Sequence, residues 1–242
     1  MTMRDKIYRS YGKDFQDTTL EFDLPVAMRW AKAYQYYLRG WLPTRRDVLI
    51  VDLGCGSGRL LYLLKSIGFK NLKGVDISAD QVAVAKQVIS DVEEANALDW
   101  LENRSNESDL IIALDLIEHF YKEEALIFLE RCYNALKSGG RLILQTPNAE
   151  TPFGLYHRYN DITHEWAYNV NQLARLLRRL GFVGIQARET GPVPWRYSLV
   201  STIRCVFWKF IRLFLIIWNI VETGEVGSNI LTRVFLISAQ KP

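Results

Sequence analysis

The run VLIVDLGCGSGR at residues 48–59 constrains the fold more than any other part of the chain. An apolar stretch, interrupted only by Asp52, ends abruptly in Gly54, Gly56 and Gly58. A continuous apolar run bounded by glycines is the pattern of a strand buried on both faces, as in a parallel sheet. Comparable runs return at LKGVDI (72–77), DLIIALD (109–115), RLILQTP (141–147) and FVGIQAR (182–188). Between them lie stretches with apolar residues at helical spacing, such as KEEALIFLERCYNALK (122–137). Strands alternating with helices predict an α/β fold, a doubly wound and mostly parallel sheet with helices on both faces.

Further helices are expected at about 59–67, 79–92 and 171–180, a weak strand at 92–95, a short helix at 98–102 and a last strand at 231–240. Residues 1–46 read as an N-terminal helical cap whose helix, about 25–39, has proline in its first turn and Gly40 as its stop. Residues 47–190 form the expected core, 191–228 a hydrophobic basic helical insert, and 229–242 the final core strand. A net charge of +3 on 242 residues is too mild to suggest a nucleic-acid partner. Cys55, Cys132 and Cys205 are far apart and form no CxxC pair, as expected of reduced thiols in a cytoplasmic protein. The N-terminal stretch has no apolar core of a signal peptide, and no 18-residue stretch is free of charge.

In a doubly wound sheet, ligands bind beyond the carboxyl ends of the strands. Without Cβ atoms in the Gly54–Gly58 turn, a ligand can press on bare backbone and reach the N-terminal N–H groups of the following helix. Asp76, ending the second strand, is placed to accept both hydroxyls of a ribose. A dinucleotide fingerprint, G-x-G-x-x-G, requires a third glycine where this chain has Arg59. Asp52 would repel a pyrophosphate yet could hold an amino or sulfonium group. S-adenosylmethionine therefore fits better than a nicotinamide cofactor.

The succession VDLGCGSGR, GVDIS, DLIIALDLIEH and LKSGGRLILQTPN resembles the class I S-adenosylmethionine-dependent methyltransferases over about residues 45–190. The resemblance implies a seven-stranded sheet whose last strand is antiparallel. It further implies that Asp52, with the backbone of Gly54, Cys55, Gly56 and Gly58, holds the methionine part, that Asp76 holds the ribose, and that Ile77 packs on the adenine. Where the family often has Gly-Asp-Ala, this chain reads Ala95-Asn96-Ala97. Asn96 would then meet the adenine amino group with its amide oxygen, with Asp99 as the competitor.

Leu114 and Asp115 fall at the mouth of the cleft. In DLIEH, Asp115, Glu118 and His119 stand at i, i+3 and i+4, one face of any helical turn. His119 could serve as a general base toward an acceptor hydroxyl. Alternatively, the three residues could bind Mg²⁺, which lowers the pKa of a hydroxyl bound to it. A Glu-x-x-Glu-His turn is similar to the metal site of ubiquinone-pathway and small-RNA ribose O-methyltransferases, but Asp115 replaces the first glutamate, and no residue is assigned as a metal ligand. The loop TPNAETPFGLYHRYNDITHEWAY (146–168) holds His157, His164 and Asp161 among aromatics, which suits a sugar or ring-bearing acceptor. It resembles methyltransferases of bacterial surface-polysaccharide and lipid-linked sugar pathways. His119, His164 and Asp161 are the catalytic candidates.

In the insert 198–224, Ile203, Val206, Phe207, Phe210, Leu213, Phe214, Ile217 and Val221 line one helical face, with Arg204, Lys209, Arg212 and Asn219 opposite. Such a helix lies on anionic lipid at the inner face of a membrane, or packs on protein, as in a homodimer. The expectation is an S-adenosylmethionine-dependent O-methyltransferase acting on a sugar hydroxyl of a glycan or lipid-linked intermediate. The alternatives are a phenolic quinone precursor as acceptor, or a non-catalytic subunit that binds an adenosine ligand.

Overall fold

The computed structural model describes residues 7–8, 21–194 and 197–242. Most of the expected cap before residue 21 therefore lies outside the described residues. The cap helix is α1 (Leu24–Tyr37), opened by Asp23, whose carboxylate accepts the N–H of Val26 at 2.9 Å. The alternating core follows as β1 (Leu49–Leu53), α2 (Arg59–Ser66), β2 (Asn71–Asp76), α3 (Ala79–Ala85), β3 (Val92–Glu94), α4 (Ala97–Leu101) and β4 (Ser108–Leu114). A single 3₁₀ turn, Ile117–His119, leads into α5 (Lys122–Ala135), β5 (Leu136–Pro147), α6 (Gly154–Tyr159), α7 (Val170–Arg179) and β6 (Val183–Glu189). The insert is α8 (Leu199–Thr223), and β7 (Val234–Gln240) closes the chain.

The strands form a seven-stranded sheet in the order β3-β2-β1-β4-β5-β7-β6. β7 runs antiparallel to both neighbours, and all other pairings are parallel. The order reverses at β1 and β4, where the crevice for a ligand opens. Alternation along β1 sends Ile50 into one core layer and Val51 and Leu53 into the other. Ile50 meets Leu61, Leu64 and Ile143, while Val51 and Leu53 share a layer with Phe128, Leu129 and Phe235. These two dry layers fix the sheet and leave its β1–β4 rim to the site.

Several expected elements change: the helix expected over 122–137 ends at Ala135, and the strand expected from 141 begins at Leu136 and runs through Gly139 and Gly140. α3 stops at Ala85 rather than near Val92, because Val92 pairs with Gly74 and must be extended. β7 begins at Val234 rather than at 231, since the N–H of Leu231 is taken by the Glu189 carboxylate at 2.9 Å. The loop after β5 contains a helix, α6, that the sequence pattern did not indicate. The cysteines are all free thiols, Cys55 and Cys132 buried.

Candidate functional site

The glycine turn is built from the backbone outward. Gly54, Gly56 and Gly58 have φ values of +69°, +51° and +85°, the left-handed region that glycine enters without strain. Gly54 must also be bare because a Cβ there would sit 3.2 Å from the side chain of Leu116. Gly58 plays a different part from the other two. It caps α2, and a Cβ on it would lie 3.1 Å from Cα of Ala85, so it sets the spacing between α2 and α3. Among the described residues no side chain caps α2, which leaves its first N–H groups for a ligand.

Asp76 ties the turn to β2. Its Oδ2 accepts the Gly56 N–H at 2.8 Å and its Oδ1 the Ser78 N–H at 2.9 Å. Asp52 is only 2% exposed, and its Oδ2 has no hydrogen-bond partner among the described residues. Burial, with the Asp76 charge nearby, pushes its carboxyl well above the usual range. An uncompensated carboxylate at this depth calls for a cationic partner, such as the amino group of a methionine moiety.

Two cavities flank the turn and share Gly54, Gly56 and Leu114. One, of about 350 Å³, is lined by Asp76, Ile77, Asn96, Ala97, Leu114 and Asp115, and also by His119 and His164. The other, of about 470 Å³, contains Asp52 and Cys55. The expected cofactor residues thus gather around one rim, except Gly58. Asn96 is the N-cap of α4, its Oδ1 accepting the Leu98 N–H at 2.8 Å, so one lone pair of that oxygen remains for an adenine amino group. Asp99 lines neither cavity.

The DLIEH segment departs from the expected single helical face. Asp115 has φ +52°, and the chain turns there before the 3₁₀ turn begins. The Asp115 carboxylate accepts from Gln145 Nε2 at 2.7 Å, and Gln145 Oε1 accepts from the Tyr34 hydroxyl at 2.8 Å. Asp115 opens onto the cleft, but protein crowds its other sides, and desolvation pushes its carboxyl up to about 6. His119 lines the same cavity as Asp115, whereas Glu118 lies beneath it. Glu118 is fully buried, neither carboxylate oxygen has a partner within hydrogen-bond geometry among the described residues although the Thr146 hydroxyl lies close, and burial with the nearby Asp115 charge raises its carboxyl well above the usual range.

His119 is met from the acceptor loop. Its Nδ1 lies 2.9 Å from Thr163 Oγ1, and that hydroxyl donates to Asp161 Oδ1 at 2.6 Å. Because the Thr163 proton is spent on Asp161, Nδ1 of His119 is the donor, and Nε2 carries the lone pair. His164 stands with its ring centroid 4.8 Å from that of His119, its Nδ1 2.6 Å from the His157 carbonyl. Glu118, His119 and His164 each place one ligand atom within 4.8 Å of the others. Sequence reasoning named His119, His164 and Asp161, and the fold brings all three together. It missed Thr163 as the link, and also Tyr34 and Gln145, which no local pattern in α1 or β5 sets apart.

A family model described as a methyltransferase domain matches residues 26–187, and the chain belongs to that family. Among curated relatives, the hydroxymycolate synthase of Mycobacterium tuberculosis is 25% identical over 130 residues, covering 52% of this chain and 43% of that protein. A ubiquinone biosynthesis O-methyltransferase of Burkholderia pseudomallei is 26% identical over 194 residues, covering 72% of this chain and 79% of that protein. The chain thus spans less than half the length of the first of these relatives. A crystal structure of a SAM-dependent methyltransferase from Archaeoglobus fulgidus superposes with a TM-score of 0.64 at 21% identity, covering 96% of this chain and 98% of that one. The fold is that of the class I methyltransferases, and S-adenosylmethionine is the cofactor that the glycine turn, Asp52 and Asp76 suit.

Proposed function

We propose that the protein transfers the methyl group of S-adenosylmethionine to a sugar hydroxyl on a glycan or lipid-linked intermediate. The observation that carries this reading is the line Asp161–Thr163–His119, which ends on an imidazole at the cofactor cavity. The acceptor oxygen forms its bond to the methyl carbon as the carbon–sulfur bond breaks, and the electron pair goes to sulfur. The hydroxyl proton passes to Nε2 of His119. Asp161, acting through Thr163, holds the ring in the tautomer that can take it and offsets the charge it acquires. A sugar hydroxyl is weakly acidic, so removing its proton matters; the remaining contribution is alignment. The test is transfer of labelled methyl from S-adenosylmethionine onto lipid-linked sugar and phenolic quinone-precursor fractions. Label in the sugar fraction supports the reading, and label confined to the phenols overturns it.

The buried Glu118 carboxylate beside two imidazoles favours a second reading, metal-assisted methylation of a phenolic hydroxyl. Glu118, His119 and His164 would hold a divalent ion, which would supply Lewis-acid assistance to the acceptor hydroxyl when bound. Two imidazoles and one carboxylate suit zinc, manganese or iron better than the Mg²⁺ expected from Asp115, Glu118 and His119, since Mg²⁺ prefers oxygen ligands. Loss of activity in EDTA, restored by one of these ions, would support it.

A further inference from the structure

α8 lies on the body of the protein with Ser201, Trp208 and Arg212 inward. Ser201 is buried and donates to the Val193 carbonyl at 2.7 Å. Trp208 Nε1 and Arg212 Nε both bind the Glu189 carboxylate, at 3.1 and 3.2 Å. The apolar residues face outward: Phe207, Phe210 and Val221 are 65%, 67% and 82% exposed. At about 100° per residue, the apolar surface runs from Ile220 through Phe210 and Phe214 to Ile211. It sweeps roughly half the circumference of the helix, against the narrower two-in-seven seam that pairs one helix with another. Lys209 borders this half-cylinder beside Ile220, and Arg204 borders it beside Ile211; both are exposed and neither has an acidic partner among the described residues. Glu222 lies only at the C-terminal end, where it accepts from Trp218 Nε1 at 2.9 Å.

A second apolar surface adjoins the first. On the acceptor loop, Phe153, Leu155, Tyr159 and Ile162 are all more than half exposed, and Arg233 stacks over Phe153 at 5.3 Å. The loop and α8 flank one cavity of about 590 Å³, whose described lining includes Arg204, Arg233 and His157 and no carboxylate. The His157 carbonyl is also the partner of His164 Nδ1, so this surface adjoins the proposed acceptor site.

We propose that α8 and the exposed side chains of the 153–162 segment form a docking surface for an anionic lipid bilayer. The apolar half-cylinder sits at the boundary between headgroups and acyl chains. Arg204, Lys209 and Arg233 meet lipid phosphates along its edges, their stems lying on the apolar surface. A half-circumference of exposed apolar surface is more than one partner helix covers, and it matches burial in a continuous medium. No described helix is long and apolar enough to cross a membrane, which agrees with a helix that lies in the interface.

The test is flotation of the whole chain with vesicles of phosphatidylcholine alone and with one third phosphatidylglycerol. It reads binding, not methyl transfer, so it stands apart from the choice of acceptor. The wild type is expected to float with the anionic vesicles and at least about tenfold less with the neutral ones. Arg204→Glu with Lys209→Glu should weaken anionic binding at least about tenfold. Phe207→Ser, Phe210→Ser and Phe214→Ser together should abolish it, with S-adenosylmethionine binding by calorimetry unchanged in both variants. Wild-type protein left unbound by both vesicle types overturns the proposal. So does a wild-type dimer by ultracentrifugation that the three serines dissociate while vesicle binding is absent, which would assign the face to a second copy.

Discussion

Thr163 Oγ1 stands 2.9 Å from Nδ1 of His119, although the two residues are 44 positions apart. That contact joins the acceptor loop to the end of β4 and gives His119 its tautomer. Thr163→Val, which keeps the shape and removes the oxygen, should lower kcat about tenfold to a hundredfold. The KM for S-adenosylmethionine should stay unchanged. Steady-state kinetics between pH 5.5 and 9 check this, and Thr163→Ser should rescue most of the loss.

Asp52 predicts a linkage between cofactor binding and protons. Its carboxyl is raised by burial, and a cationic amino group beside it favours the ionised form, so binding expels a proton. Cofactor affinity should therefore rise with pH through the elevated Asp52 titration. Asp52→Asn should bind about tenfold to a hundredfold more weakly, as for loss of a charge-assisted hydrogen bond. Its affinity should not vary with pH. Calorimetry in buffers of different ionisation enthalpy reads both effects.

Gly58→Ala should destabilise the fold rather than the chemistry. A Cβ there meets Ala85 Cα at 3.1 Å, at φ +85°. The expected cost is about 1–3 kcal/mol, or several degrees of Tm at this chain length. Thermal unfolding with and without the cofactor checks it.

Asp115 predicts a pH dependence of stability without ligand. Its carboxyl binds a proton more tightly folded, at about 6, than unfolded, where about 3.9 is usual. Its contribution is therefore complete below the unfolded value and is lost as pH rises through about 6. Relative to Asp115→Asn, the wild type should lose Tm between pH 4.5 and 7. A constant difference across that range would contradict the assignment.

The sheet was legible in the sequence because apolar runs and glycines are local signals. VLIVDL, LKGVDI and DLIIALD became β1, β2 and β4 with no boundary shifted by more than one residue. The turn residues Gly54, Gly56 and Asp76 followed from backbone requirements that the residue types declare. Less was legible where a contact joins distant segments. Tyr34, Gln145 and Asp115 meet from α1, β5 and the end of β4, and nothing local in any of them announces the others. The DLIEH spacing predicted one helical face, but a left-handed Asp115 and a 3₁₀ turn replace the helix, leaving Asp115 and His119 on the cavity and Glu118 buried. The stripe on α8 was legible, but its outward orientation was not. It follows from Glu189, which draws Trp208 and Arg212 inward.

The most direct measurement pairs the wild type with His119→Gln in labelled methyl transfer to the lipid-linked sugar fraction. The account predicts base-stable label, an ether, in that fraction with the wild type, and a loss of about a hundredfold or more in the variant with cofactor binding intact. Base-labile label, no label in sugars, or equal transfer by both proteins would contradict it.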